Sequence, residues 1–318
     1  MTLLILWIGG NQVISNTISI GDFNAFFMYA GILFTPIFIL SFIGTFISRA
    51  MISIERITDV LEAPIMKHDG TYSASLRGDI VMKNVSLSYG EKKIIKNVSL
   101  SIKNGQRVAL VGPTAAGKTQ LFYLLTGLLL PTSGEILIDS HPVSEYDPKS
   151  LFSQIGLVFQ DSIVFNTSVR ENIQFDSSFS EDNLTKAITT AELDEVIAHL
   201  PDGLQTTVSE RGTDLSGGQK QRLMLARALA ISPKILLLDD FTARVDRSTE
   251  AQIFQNLDKN YLGITLINIT QKIEPVKDYD RIILMIEGEI VAQGTHTELM
   301  ESSFDYRKIF ESQQTINK

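Results

Sequence analysis

The sequence predicts an α/β protein with a parallel-sheet core, an antiparallel β subdomain and an α-helical subdomain, preceded by a transmembrane α-helix. Three features predict it. A glycine-bounded loop, Gly112-Pro-Thr-Ala-Ala-Gly117-Lys118-Thr119, joins the apolar run 107–111 to a run of helical character beginning at Gln120. A second apolar run, Lys234-Ile-Leu-Leu-Leu, ends in the two acids Asp239 and Asp240. Residues 25–48 carry no charge, and the only charged side chain before Arg49 is Asp22.

Composition narrows the function classes. With 20% charged and 44% hydrophobic residues over 318 positions, the chain has the balance of an ordered protein with one or two cores. A net charge of −8 argues against a nucleic-acid partner, because displacing phosphate counterions needs a basic face. Cysteine is absent and the four histidines are scattered, which excludes disulfides and thiolate metal sites.

Taken in chain order, Leu3 to Ile8 is too short to cross a bilayer. With Gly9, Gly10, Asn11 and the polar stretch 15–22, it reads as the tail of another helix followed by an outer loop, and Met1 as a truncation point. Neither a basic head nor a cleavage site suggests a signal peptide. The uncharged run 25–48 would be about 36 Å long as a helix, enough for a hydrocarbon core of about 30 Å. Pro36 inside it is expected to kink the helix. Phe34, Phe38, Phe42 and Phe46 recur every fourth residue and share a face that suits lipid or neighbouring helices, or else an apolar cargo path. Arg49 and Arg56 flank the inner end and put the following domain in the cytoplasm. Helical periodicity should end near Ala63, before Pro64. Residues 1–64 thus read as a remnant of a transmembrane domain, 65–78 as a linker, and 79–318 as a soluble domain.

Within that domain, 79–87 and 94–102 alternate as antiparallel strands. The loop 112–119 follows, between strand and helix as in a P-loop NTPase. In such a loop, backbone N–H groups wrap the phosphates of ATP, Lys118 reaches the β and γ oxygens, and the Thr119 hydroxyl binds Mg2+. Residues 185–200 supply part of a helical subdomain. Asp239 ends a buried parallel strand beside the loop, where it would hold Mg2+ through water. Residues 281–291 form a closing hairpin with its turn at Glu287-Gly288.

Between the loop and the acid pair stands the octet LSGGQKQR, residues 215–222, followed by a helical run. A bare Ser-Gly-Gly is ordinarily a turn or a helix cap. The whole octet resembles the signature of ATP-binding cassette (ABC) proteins, and residues 79–310 carry that family's motifs in its order. The resemblance implies a nucleotide-binding domain that closes head to tail on a second one, each ATP lying between the P-loop of one and the signature of the other. Gly112, Pro113, Thr114, Ala115, Ala116, Gly117, Lys118, Thr119 and Gln120 would then cradle this chain's nucleotide. Ser216, Gly217, Gly218 and Gln219 would face the partner's γ-phosphate. Tyr89 matches the aromatic that stacks on adenine, Gln160 the glutamine that touches Mg2+ and the attacking water, and Asp246 the aspartate that crosses between the domains. Glu210-Arg211-Gly212, just before the signature, looks like the segment typical of exporters and of lipid or drug flippases. The implied whole is a multi-pass exporter of the cell membrane, in contact with lipid and moving a cargo that the sequence does not identify.

Three positions depart from the pattern. The acid after Asp239 is normally a glutamate acting as general base, and here it is Asp240, one methylene shorter. The switch position, normally histidine, is Gln271, which cannot become cationic. Ala115 replaces a usual glycine, at a cost near ~1 kcal/mol if that position needs φ > 0. Both key losses fall on the chain's own P-loop site while its signature is intact, which resembles one half of a heterodimeric exporter with one degenerate site. A homodimer with two weak sites, or a truncated ATP-binding module that transports nothing, are the competing readings.

Overall fold

The computed structural model describes residues 2–62, 70–175, 180–209 and 212–316. It divides into two units, Met1–Lys67 and His68–Lys318.

The first unit is two helices, α1 (Thr2–Ile14) and α2 (Ile20–Leu61). Helix α1, in the place of the expected helix tail, runs through Gly9, Gly10 and Asn11. The Phe23 ring lies in the space beside Gly9 that a side chain would fill, so the glycine serves helix contact instead of a turn. The expected outer loop shrinks accordingly. Ser19 accepts from the Asp22 N–H at 3.1 Å while Asp22 accepts from the Ser19 N–H at 3.2 Å, a capping box that draws Ile20, Gly21 and Asp22 into α2. Helix α2 spans 42 residues without interruption at Pro36. At 1.5 Å per residue it is about 63 Å long, and it is the one helix among the described residues long and apolar enough to cross a membrane. Its hydroxyls turn inward: Ser41, Ser48 and Ser53 each donate to the carbonyl four residues back, at 2.9–3.0 Å. A helix so arranged exposes few unpaired polar groups. It closes with Glu62 N–H donating to Thr58 O.

The second unit contains two sheets. Strands β1 (Ile80–Tyr89) and β2 (Lys92–Ile102) form the expected antiparallel pair. Strand β3 (Arg107–Val111) leads through the glycine loop into α3 (Lys118–Leu125). After β4 (Ser133–Ile138), β5 (His141–Pro142) and α4 (Pro148–Phe152), β6 (Ile155–Val158) enters the larger sheet. A helical group follows: α5 (Val169–Ile173), α6 (Glu181–Thr190), α7 (Asp194–Ala198) and α8 (Gly217–Ala230). The remaining elements are β7 (Ile235–Asp239), α9 (Arg247–Asn260), β8 (Thr265–Thr270), β9 (Arg281–Ile286), β10 (Glu289–Gly294), α10 (His296–Ser302) and α11 (Phe304–Ile316).

The smaller sheet has the order β2-β1-β4-β5 and the larger β10-β9-β3-β8-β7-β6. In the larger sheet β9, β3, β8, β7 and β6 are parallel, and β10 turns back antiparallel on β9 through Glu287-Gly288. Every residue of β7 and β8 is buried, as strands covered on both faces require. Because β3, β7 and β8 run side by side in one direction, their carboxyl ends, and so the loops carrying Gly112, Asp240 and Gln271, open at one edge.

Two stretches differ from expectation. The helical character expected over 185–200 is divided between α6 and α7, parted at Glu192, whose backbone takes φ +55°. Residues 70–78, expected as linker, pack on the domain: Tyr72 stacks on His141 at 3.9 Å, its N–H donates to Glu145 O, and Leu76 is buried. The rest of that linker, and Glu210 and Arg211 of the expected exporter segment, lie outside the described residues.

Candidate functional site

Gly112 leaves β3 at φ +155°, and a Cβ there would lie 2.1 Å from the Met285 carbonyl oxygen of β9. Only glycine lets the chain turn this close to its neighbour. Ala115 does take a positive φ, +64°, so the condition for its strain is met. Gly117 then delivers Lys118 and Thr119 to the first turn of α3.

The two side chains that start α3 face different partners. Lys118 Nζ donates to Gly112 O and Pro113 O, both at 2.8 Å. Burial lowers its pKa, while nearby Asp239 and Asp240 raise it. The Thr119 hydroxyl donates to Asp239 Oδ2 at 3.1 Å. Asp239 is 3% exposed. Burial pushes its carboxyl up, partly offset by the Thr119 hydrogen bond and by Lys118. The buried carboxylate and the hydroxyl beside it set two hard oxygens side by side.

Asp240 follows in the left-handed region, φ +46°, with its N–H donating to Ile269 O at 2.8 Å. Gln271, just past β8, accepts from the Thr114 hydroxyl at 3.4 Å. These groups line one cleft of about 540 Å³, together with Ala115, Ala116, Gly117, Gln120 and Gln160. Gly112 and Pro113 do not line it; their carbonyls accept from Lys118 Nζ instead. Tyr89 is half exposed at the end of β1 and does not line the cleft, but its hydroxyl donates to Gln120 Oε1 at 3.0 Å. The cleft also receives Lys92, Lys93, Ile94 and Lys96 from β2, and Glu287 from the closing turn, none of which sequence reasoning had placed at the site. The available signal was the Tyr89-Gly90 turn, which returns the chain toward the loop two residues before a lysine pair. Glu250 of α9, also not anticipated, is buried outside the cleft, where burial raises its pKa and a Thr242 hydrogen bond and the charge of Lys272 partly offset that.

Ser216, Gly217, Gly218 and Gln219 do not line this cleft. Ser216 caps α8, its oxygen accepting from the Gln219 N–H at 3.2 Å while Gln219 Oε1 accepts from the Ser216 N–H at 2.8 Å. A Cβ on Gly218 would lie 2.7 Å from Arg244 O, so the turn rests on the segment that follows Asp240. Asp246 caps α9, and hydrogen bonds from the Ser248 hydroxyl and the Thr249 N–H hold its carboxyl well below the usual carboxylate range.

Comparison with known proteins agrees with this geometry. Residues 95–243 match the ABC transporter family. The leukotoxin translocation ATP-binding protein LktB of Mannheimia glucosida is 39% identical over 302 residues, covering 94% of this chain and 43% of the relative. The protein of the same name from Pasteurella haemolytica-like sp. (strain 5943B) aligns equally well, at 39% identity over the same shares. The chain therefore spans less than half the length of these relatives. Among solved structures, a bacterial Atm1-family ABC exporter with ATP bound superposes with a TM-score of 0.77 at 30% identity, over 93% of this chain and 52% of the other.

Proposed function

The chain carries the nucleotide-binding domain of an ABC transporter, homologous to those of ABC exporters, and from that premise we propose that it binds and hydrolyses ATP to drive export across a membrane. The observation that carries the proposal is the meeting of Lys118, Thr119, Gln160, Asp239, Asp240 and Gln271 at one cleft built on a glycine loop. Lys118 is held on two loop carbonyls and can exchange them for the oxygens of the β and γ phosphates. Thr119 and Asp239 offer adjacent hard oxygens, the donor set that Mg2+ takes, and Gln160 would complete it. Bound Mg2+ neutralises charge on the phosphates. Asp240 would orient the attacking water, Gln271 would hydrogen-bond a γ-phosphate oxygen, and Tyr89 would cover the adenine at the rim.

The finer reading concerns rate and partner. Asp240 is one methylene short of the usual base, and a displacement of about 1 Å can cost about a hundredfold in rate. Gln271 cannot supply positive charge. The chain's own cleft is therefore slow, while Ser216, Gly217, Gly218 and Gln219 complete the faster site of a different partner, in a heterodimer. Helix α2 would anchor the chain in the membrane among lipids, with the nucleotide-binding domain on the cytoplasmic side. The relatives are named translocation ATP-binding proteins, which supports export.

Restoring the missing groups tests this. Asp240→Glu with Gln271→His should raise ATP turnover of the chain about tenfold or more, measured by phosphate release. Unmodified chain turning over at several per second, with Asp240→Asn abolishing it, would remove the slow-site reading and favour a homodimer with two working sites.

A further inference from the structure

We propose that Gln221 is a positioning residue that ties the signature turn to the Gln160 loop, so that one chain links two nucleotide sites. The inference rests on the reading that the cleft holds Mg·ATP and that Gln160 faces the metal.

Gln221 sits one helical turn beyond Gly217 on α8 and is 1% exposed. Its Nε2 donates to the Gln160 carbonyl oxygen at 2.9 Å, across 61 residues of sequence. Its Oε1 has no hydrogen-bond partner among the described residues. Burying an amide with one end unsatisfied is unfavourable, and a methionine would fill the same volume without that penalty. Packing alone therefore does not account for glutamine here, whereas the bond to Gln160 does.

The bond falls where the chain needs an anchor. Upstream of Gln160, β6 is fixed in the sheet by pairing Val158 with Leu238. The residues just downstream enter no strand or helix until α5. The Gln160 peptide is the hinge between these regimes, and its carbonyl direction sets where the side chain points in the cleft. At the other end, the capping box of Ser216 and Gln219 and the close seat of Gly218 on Arg244 make the first turn of α8 one stiff body. When the partner's γ-phosphate seats on Ser216, any shift of that turn carries Gln221 and hence Gln160. By linkage, metal engagement by Gln160 biases the signature turn in return.

The test is binding of a trinitrophenyl-ATP probe to the full chain in detergent, with Mg2+ and with EDTA. Gln221→Met should weaken Mg-dependent binding about tenfold and leave the EDTA affinity within about twofold, with an unchanged circular dichroism spectrum. In combination with Gln160→Ala it should add nothing to Gln160→Ala alone. Equal losses with and without Mg2+, or additivity with Gln160→Ala, would overturn the inference. Lys118→Ala binding the probe like wild type would instead overturn the nucleotide reading beneath it.

Discussion

The P-loop cleft and the signature turn differ in what holds their residues in place. At the signature, local structure already demands the residues that are there: Ser216 and Gln219 cap α8, and Gly218 has no room for a side chain beside Arg244 O. At the cleft, nothing in the chain's own fold demands glutamate at 240 or histidine at 271, since Asp240 is held by its backbone N–H and Gln271 by a long contact to Thr114. An intact signature is thus partly a folding requirement and says less about chemistry than its completeness suggests. The departure at Gln271, whose side chain is touched only by the long contact to Thr114, says more.

Three substitutions probe that contrast. Lys118→Ala should weaken ATP binding about a hundredfold, near ~3 kcal/mol, because it removes charge-assisted bonds to phosphate. A titration showing less than about a threefold change breaks the comparison by removing the cleft from function. Gly218→Ala should destabilise the unpartnered chain by ~2 kcal/mol in urea unfolding, since backbone must move to admit the methyl. If stability holds and only partnered turnover suffers, the glycine is kept for the partner's phosphate and not for the fold. Ala115→Gly should have the smallest effect, a gain of roughly 0.5 kcal/mol, as relief at φ +64° slightly exceeds the entropy that glycine adds to the unfolded chain. A loss of stability there would show that the loop's strain is borne elsewhere.

Much of this arrangement was legible in the residues. The P-loop announces itself because glycine, lysine and a hydroxyl at fixed spacing serve one backbone geometry, and Lys234 to Asp239 reads as a buried strand because both its faces are covered. Other features depended on tertiary contacts. Gly9 and Gly10 look like breakers, yet one of them makes room for Phe23. The division at Glu192 has no glycine or proline to announce it. Lys92 and Lys93 look like a solvated strand start until the fold returns them to the loop. Gln221 sits in plain view inside the octet, but its bond to Gln160 spans the interval from β6 to α8, which no local pattern encodes.

The left-handed backbone of Asp240 has a consequence of its own. Aspartate is found in that conformation more readily than longer acids. Lengthening it to glutamate would therefore add a carbon where the backbone favours the shorter acid, so any gain in reach would be set against a small loss of thermal endurance.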